Sequence, residues 1–161
     1  SLHDFHAFTP TVSNIRPTSR GEINIISKDS REKPKIKMNY LSTEDDRKVA
    51  ADGLRLVRDI VFKSQTFKKY HPEELRPGSQ FQSNEELVQE GSKFTQTIFH
   101  PVGTCKMGND ENAVVNDELK VHGIQNLRII DASIMPNITS GNTNAPTIMI
   151  AEKGADMILG K

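Results

Sequence analysis

The chain has 161 residues, with 21 Lys and Arg balanced by 21 Asp and Glu, so its formal net charge is zero. That balance speaks against a general nucleic-acid binder, which carries a basic excess. No apolar run reaches the ~18 residues of a membrane-spanning helix, and the single Cys105 excludes an internal disulfide framework and a multi-cysteine metal site.

Residues 1–20 carry His3, Asp4, His6 and Arg16 where a signal peptide would be apolar, so none is expected. The hydrophobic share is 35%, below the roughly 45–50% of a typical globular chain, although that range also counts Gly. The distribution is uneven: 29–47 are mostly polar and charged, while 129–159 are largely apolar. An apolar end on a weakly apolar body suggests a surface made to dock on something else. The chain is therefore expected to be a piece of a longer protein.

In chain order, residues 5–15 (FHAFTPTVSNI) read as a weakly alternating strand, with Pro10 arguing for an edge or a bulge. A turn follows at 16–21 (RPTSRG). Strands are expected at 22–27, through Ile23 and Ile25, and at 35–40, through Ile36, Met38 and Tyr40. Three strands this close together imply an antiparallel sheet.

Ser42 with Asp45 three residues later resembles a capping box, and Glu44, Asp45 and Asp46 suit a helix N-terminus. The helical stripe is Val49, Gly53, Leu56, Val57, Ile60 and Val61. Residues 76–78 (RPG) are loop, and Ser83 with Glu86 opens a second helix to about residue 95. Val114–Val115 and Leu127–Ile130 read as short extended pieces among glycine turns. A last helix is expected from Pro146 to Leu159, with Ile148, Ala151, Ala155 and Ile158 on one face and Pro146 at its first position. Strands followed by helices and a mixed segment give an α+β class, an antiparallel sheet with flanking helices. Neither a GxGxxG fingerprint nor a P-loop is present.

Three places could carry chemistry. His100, in FHPVGT, sits before a proline that extends its backbone and a Gly103 that permits a close turn. An imidazole presented from such a segment suits proton transfer near neutral pH. From the residues alone a structural histidine at a strand end is the favoured reading, since most histidines are not catalytic. Residues 136–146 (PNITSGNTNAP) are dense in small polar groups and lead into the last helix, which Thr143 or Asn144 can cap. The free N–H groups there would stabilise an anion or developing charge; the alternative is a long cap and nothing more. Asp131, with Ala132 and Ser133, follows an apolar run and suits hydroxyl or phosphate contacts, or simply caps the next turn.

Residues 100–108 (HPVGTCKMG), then VHG, LRIIDASIMP and GNTNAPTIMIAEK, resemble the C-terminal signature of the glucose–methanol–choline (GMC) flavin oxidoreductases. RPTSRGEI and IKMNYLSTEDD extend the resemblance over nearly the whole chain, which is most similar in character to the bacterial choline and long-chain alcohol dehydrogenases.

The resemblance implies an enzyme that oxidises a primary alcohol to an aldehyde, with hydride passing to N5 of FAD. His100 would take the hydroxyl proton. Asn142 stands where some members carry His, and would orient the alcohol oxygen as a hydrogen-bond donor. Asp131 and Ala132 match positions near the FAD ribityl–pyrophosphate. Thr143 and Asn144 match positions at the flavin pyrimidine end, where a helix N-terminus would stabilise negative charge.

Cys105 reads as a packed residue, and His3, His6, His71 and His122 receive no role. No metal is expected. The FAD-binding Rossmann half is not in these residues, so the last helix would pack on a missing N-terminal half of the same protein. Residues 1–98 are read as the substrate-binding sheet and helices and 99–161 as the catalytic, flavin-contacting segment, both within one C-terminal domain. The chain alone is expected to be inactive and to self-associate through the uncovered helix. The implied partners are a small alcohol, FAD and an electron acceptor, with a membrane quinone as one candidate. The implied location is cytoplasmic, with peripheral contact at the inner face of the membrane as an extension. An oxidase, a hydroxynitrile lyase and a non-enzymatic binding module are the alternatives; choline itself would call for an anionic or aromatic cage, and the chain has no Trp and two Tyr.

Overall fold

The computed structural model describes residues 4–161; His3 lies outside them. The described residues form two compact units, one from 4–14 and 41–96, the other from 15–40 and 97–161.

The first unit is helical. Helix α1 spans Glu44–Lys63, α2 Gln65–Lys68 and α3 Asn84–Ser92. The expected capping box at Ser42 is corrected by one residue: Thr43 is the N-cap, and its hydroxyl accepts from the Asp46 amide. Glu44, Asp45 and Asp46 then fill the first turn, where the helix dipole favours acids.

Residues 5–15 do not form the expected strand. Side chains hold the segment to the helices instead: Phe8 stacks on Phe67 with ring centroids 5.4 Å apart, and the Asn14 amide donates to the buried Asp46 carboxylate at 3.1 Å.

The buried side of α1 also differs from the expected stripe. Ala51 and Val61 are buried, while Val49, Leu56 and Ile60 stay exposed. Periodicity gives a helix but not its rotation. Here rotation is set by α3, whose Leu87 is fully buried, and by an ion pair. Arg58 donates to both Glu74 oxygens at 2.8 and 2.9 Å and to the carbonyls of Phe81 and Gly78. Glu74 also accepts from the Gly78 amide. A charged pair only 15% and 9% exposed thus ties loop 74–81 to α1. The capping box expected at Ser83 and Glu86 is present on α3.

The second unit holds the sheet. Strands β1 (Glu22–Asn24) and β2 (Lys35–Lys37) form a two-stranded antiparallel hairpin with Ile23 opposite Ile36. Both isoleucines are at least half exposed. The second strand ends earlier than expected, because Asn39 takes φ 54° and turns its amide to the Arg20 carbonyl at 2.9 Å.

The extended pieces around Val115 and Arg128 pair only through single bridges. A 3-10 turn, Ala132–Ile134, precedes α4, Asn144–Leu159. Val115, Leu119, Ile134, Met135 and Ile150 make the core of this unit. Helix α4 docks by Ile150 and Gly154, and a Cβ on Gly154 would fall 2.6 Å from Ile130 Cγ2. Ile148 and Ile158, on the face marked by the sequence, remain 55% and 59% exposed.

Three stability predictions follow from this packing. Replacing Arg58 by Ala leaves the Glu74 carboxylate nearly buried and unpaired, and should cost about 3 kcal/mol in a denaturant titration; an unchanged midpoint would contradict the network. Gly154→Ala should cost about 1–3 kcal/mol through overpacking, part of which Ile130→Ala recovers in the double variant. The Glu86 carboxyl is held below its ordinary value of 4.5 by the Ser83 and Gln82 amides and the Ser83 hydroxyl. Its contribution to α3 is therefore fully present above that ordinary value and lost as pH falls through the lowered folded value. Wild type and Glu86→Gln should differ in melting temperature at pH 7 and converge in acid.

Candidate active site

His100 is carried by a segment with little freedom. Phe99, just before it, has φ 64°, a left-handed conformation rarely taken by an aromatic residue, and the residue is 81% exposed. Its amide donates to the Thr97 hydroxyl at 3.0 Å. Pro101 follows, and Gly103 then turns at φ 90°, where a Cβ would lie 3.3 Å from the Met135 carbonyl oxygen. The Cys105 and Met107 amides donate to the carbonyls of Ser133 and Ile134 at 3.0 and 2.8 Å. The backbone that follows the imidazole is therefore attached to the core.

The His100 ring is half-buried, and its Nδ1 lies 3.0 Å from the Thr143 hydroxyl oxygen. The Thr143 amide also points at Nδ1, at 3.5 Å. Thr143 is 8% exposed and is the N-cap residue of α4, yet its side chain makes no cap bond. Thr143 has φ −88° and ψ −2°, helical rather than the extended backbone of a capping residue, and the third helical residue, Pro146, has no amide to offer. The expectation that the helix starts at Pro146 is thus shifted by two residues. The Thr143 carbonyl accepts from both the Thr147 amide at 3.0 Å and the Thr147 hydroxyl at 2.6 Å, which fixes the start of α4.

Asn142 and Asn144 flank Thr143 and are exposed. The loop leading to them is held by the 16–20 turn. Arg16 donates to the Ser140 hydroxyl at 2.6 Å, and Arg20 donates to the Asn137 side-chain oxygen. Ser140 has φ 60°. Among the residues singled out from the sequence, the structure brings together His100, Asn142, Thr143 and Asn144 at the first turn of α4.

Asp131 and Ala132 sit at the 3-10 turn. Asp131 is exposed and caps that turn, accepting from the Ser133 amide at 2.7 Å. The capping alternative is therefore realised for one carboxylate oxygen. Ala132 packs partly against the core.

Sequence reasoning missed two things here. Thr143 faces His100 across 43 positions, a contact for which spacing carries no signal. Arg16 and Arg20 hold a loop more than a hundred residues away, for which spacing carries no signal.

A shallow hollow of about 450 Å³ is lined by Lys120, His122, Ile124 and their neighbours, and His100 is not among its lining residues. Exposed Asn142 and Asn144 give the site an open edge beside the buried Thr143. The donors on that edge are the Asn142 and Asn144 amides and the uncapped first turn of α4. They fit a group that gathers negative charge at one end, as the pyrimidine end of a flavin does.

The comparisons with known proteins agree in direction. Two curated bacterial relatives are named oxygen-dependent choline dehydrogenase. That of Pseudomonas savastanoi pv. phaseolicola (strain 1448A / Race 6) is 49% identical over 97% of this chain and 27% of its own length. That of Proteus mirabilis (strain HI4320) is 48% identical over 98% of this chain and 28% of its own. The chain thus spans little more than a quarter of these relatives. Among solved structures, pyridoxine 4-oxidase from Mesorbium loti superposes with a TM-score of 0.83 at 34% identity, over 91% of this chain and 28% of that one. A formate oxidase of Aspergillus oryzae RIB40 gives 0.81 at 32%, over 96% and 29%. The family model described as GMC oxidoreductase matches residues 17–151, and on that match, with the fold and the His100 edge in agreement, the chain belongs to the GMC oxidoreductase family.

Proposed function

We propose that this chain is the C-terminal, catalytic and substrate-side part of an FAD-dependent enzyme that oxidises a primary alcohol to an aldehyde. The observation that carries the reading is the His100 imidazole held by Thr143 at the uncapped N-terminus of α4, with Asn142 and Asn144 exposed beside it. FAD, when bound, supplies the acceptor for the hydride that leaves the alcohol carbon. Thr143, Asn144 and the first turn of α4 would hold its pyrimidine end, and Asp131 with Ala132 its ribityl–pyrophosphate stretch. His100 takes the hydroxyl proton, its ring held in direction by Thr143. Asn142 donates to the alcohol oxygen and fixes its direction; an amide orients well but accepts a proton poorly, so the base is His100 alone.

The exposed α4 face of Ile148 and Ile158, and the exposed isoleucines of the hairpin, support docking on the remainder of a longer protein. That remainder would close the open edge around FAD and alcohol. Without it the chain should neither hold FAD firmly nor turn over, and should associate with itself.

No helix among the described residues is long and apolar enough to cross a membrane. We place the enzyme in the cytoplasm, with contact to the inner face of the membrane if a quinone takes the electrons. A second reading, an oxidase passing them to oxygen, is favoured by the oxidase names of the two structural neighbours and the oxygen-dependent names of the curated relatives.

The test is anaerobic bleaching of the flavin band in the full-length protein, with choline, 1-butanol and benzyl alcohol as probes. Bleaching with at least one alcohol, slowed about 100-fold or more by His100→Ala, is the expected outcome. A colourless protein that FAD does not reconstitute, or a His100→Ala variant with undiminished bleaching, overturns the reading. Re-oxidation by oxygen against a soluble quinone then separates oxidase from dehydrogenase.

A further inference from the structure

We propose that the Arg16–Ser140 hydrogen bond is a clasp that positions Asn142 for the alcohol; the inference rests on the reading of Asn142 as the group that orients the alcohol oxygen. Arg16 and Ser140 are positioning residues in it and touch no reacting atom.

Residues 136–142 run from buried Met135 to buried Thr143 and carry Asn142 at their end. Among the described residues, none of their amides or carbonyls joins a backbone–backbone hydrogen bond. Such a stretch takes its shape from the side chains that reach it. From the 16–20 turn, Arg20 donates to the Asn137 side-chain oxygen near the start of the stretch. Arg16 Nε donates to the Ser140 hydroxyl at 2.6 Å, two residues before Asn142. The turn is itself braced. Arg20 Nη1 donates to the Pro17 and Ser19 carbonyls, both at 3.0 Å, and the Arg20 carbonyl accepts from the Asn39 side-chain amide beyond the second strand.

Asn142 has one fixed neighbour and one free one. Thr143 is buried, and its carbonyl takes two bonds from Thr147. On the other side stands Gly141, where an added Cβ would meet nothing within 4 Å. Glycine has the widest choice of backbone angles, and here no packing narrows it. The nearest held residue before Asn142 is therefore Ser140, at φ 60°. A serine stays in that left-handed region only where its surroundings require it. Without the bond from Arg16, residues 140–142 relax towards ordinary angles and carry the Asn142 amide off the alcohol oxygen. That oxygen gains negative charge as its proton leaves. The Asn142 bond therefore tightens in the transition state, and misalignment lowers the rate more than the binding.

The variants are made in the full-length holoenzyme, with flavin absorbance and melting temperature recorded for each. Arg16 has a further contact, so Ser140→Ala is the primary variant; alanine is no freer than serine at φ 60°. The bond joins an exposed arginine, so its loss should barely move the melting temperature. The limiting rate of anaerobic flavin bleaching by choline, or by 1-butanol if choline is inert, should fall about 10-fold. The half-saturating alcohol concentration should change little, and Arg16→Ala should be slowed at least as much. Ser140→Ala should add nothing in Arg16→Ala, which lacks the donor, nor in Asn142→Ala, which lacks the group being positioned. A readout independent of turnover is the crystal structure of each holoenzyme. Wild type should show one orientation of the Asn142 side chain, and Ser140→Ala a displaced one or several.

If Ser140→Ala bleaches at the wild-type rate while Asn142→Ala does not, the clasp is overturned and Asn142 keeps its role. If Ser140→Ala slows bleaching by the same factor in the Arg16→Ala or the Asn142→Ala background, it acts by another route and the proposal is overturned as well. An Asn142 unmoved in the Ser140→Ala crystal has the same consequence. If Asn142→Ala itself bleaches at the wild-type rate, the reading of Asn142 fails and the proposal fails with it.

Discussion

The docking of α4 against the segment that ends at Ile130 is the constraint on which the site depends. Gly154 allows that approach, since any side chain there would collide with Ile130. Close docking fixes the axis of the helix and so the position of its first turn, where Thr143 meets a histidine from 43 residues earlier in the chain. A helix seated farther out would carry Thr143 beyond hydrogen-bond reach, because such a bond weakens steeply over a few tenths of an ångström. The packing of one glycine and the geometry of one imidazole are in this sense a single matter.

Around that contact the backbone is held in conformations that an unconstrained chain seldom visits. Phe99 precedes the histidine in the left-handed region, and Ser140 does so two residues before Asn142. Such residues persist only where neighbours over-determine them. For Ser140 the neighbour is Arg16; for the His100 segment it is the ladder from Cys105 and Met107 to Ser133 and Ile134. Reactive side chains carried on loops thereby gain the fixed directions that proton transfer requires.

The two units differ in how they are held together. The helical unit relies on few buried residues and on a nearly buried ion pair between Arg58 and Glu74. The other relies on a compact apolar cluster beneath α4. Both leave large apolar side chains uncovered, including the hairpin isoleucines and the outer face of α4. For a GMC oxidoreductase chain spanning about a quarter of the relatives it matches, that is the surface distribution expected of a part rather than a whole.

Much of this was legible in the sequence. Alternation through Ile23 and Ile36 gave the hairpin, the Ser83–Glu86 spacing gave a capped helix, and the run after Asn144 gave α4, because each rests on contacts between near neighbours. The motif HPVGTCKMG and the segment GNTNAP gave the family and its candidate residues. What the sequence could not supply depends on distant groups. Residues 5–15 alternate like a strand but are held to the helices by side chains such as Phe8 and Asn14. Helix α1 is periodic, but its rotation is chosen by α3 and by Glu74. Thr143 could cap its helix or meet a histidine, and the choice belongs to the docking of α4, which brings His100 to it. Local chemistry thus determined the elements and the residue types at the site by itself. Only the tertiary structure decided which nitrogen of His100 is held and by what, because a hydrogen bond between residues 43 positions apart exists only once both backbones are fixed.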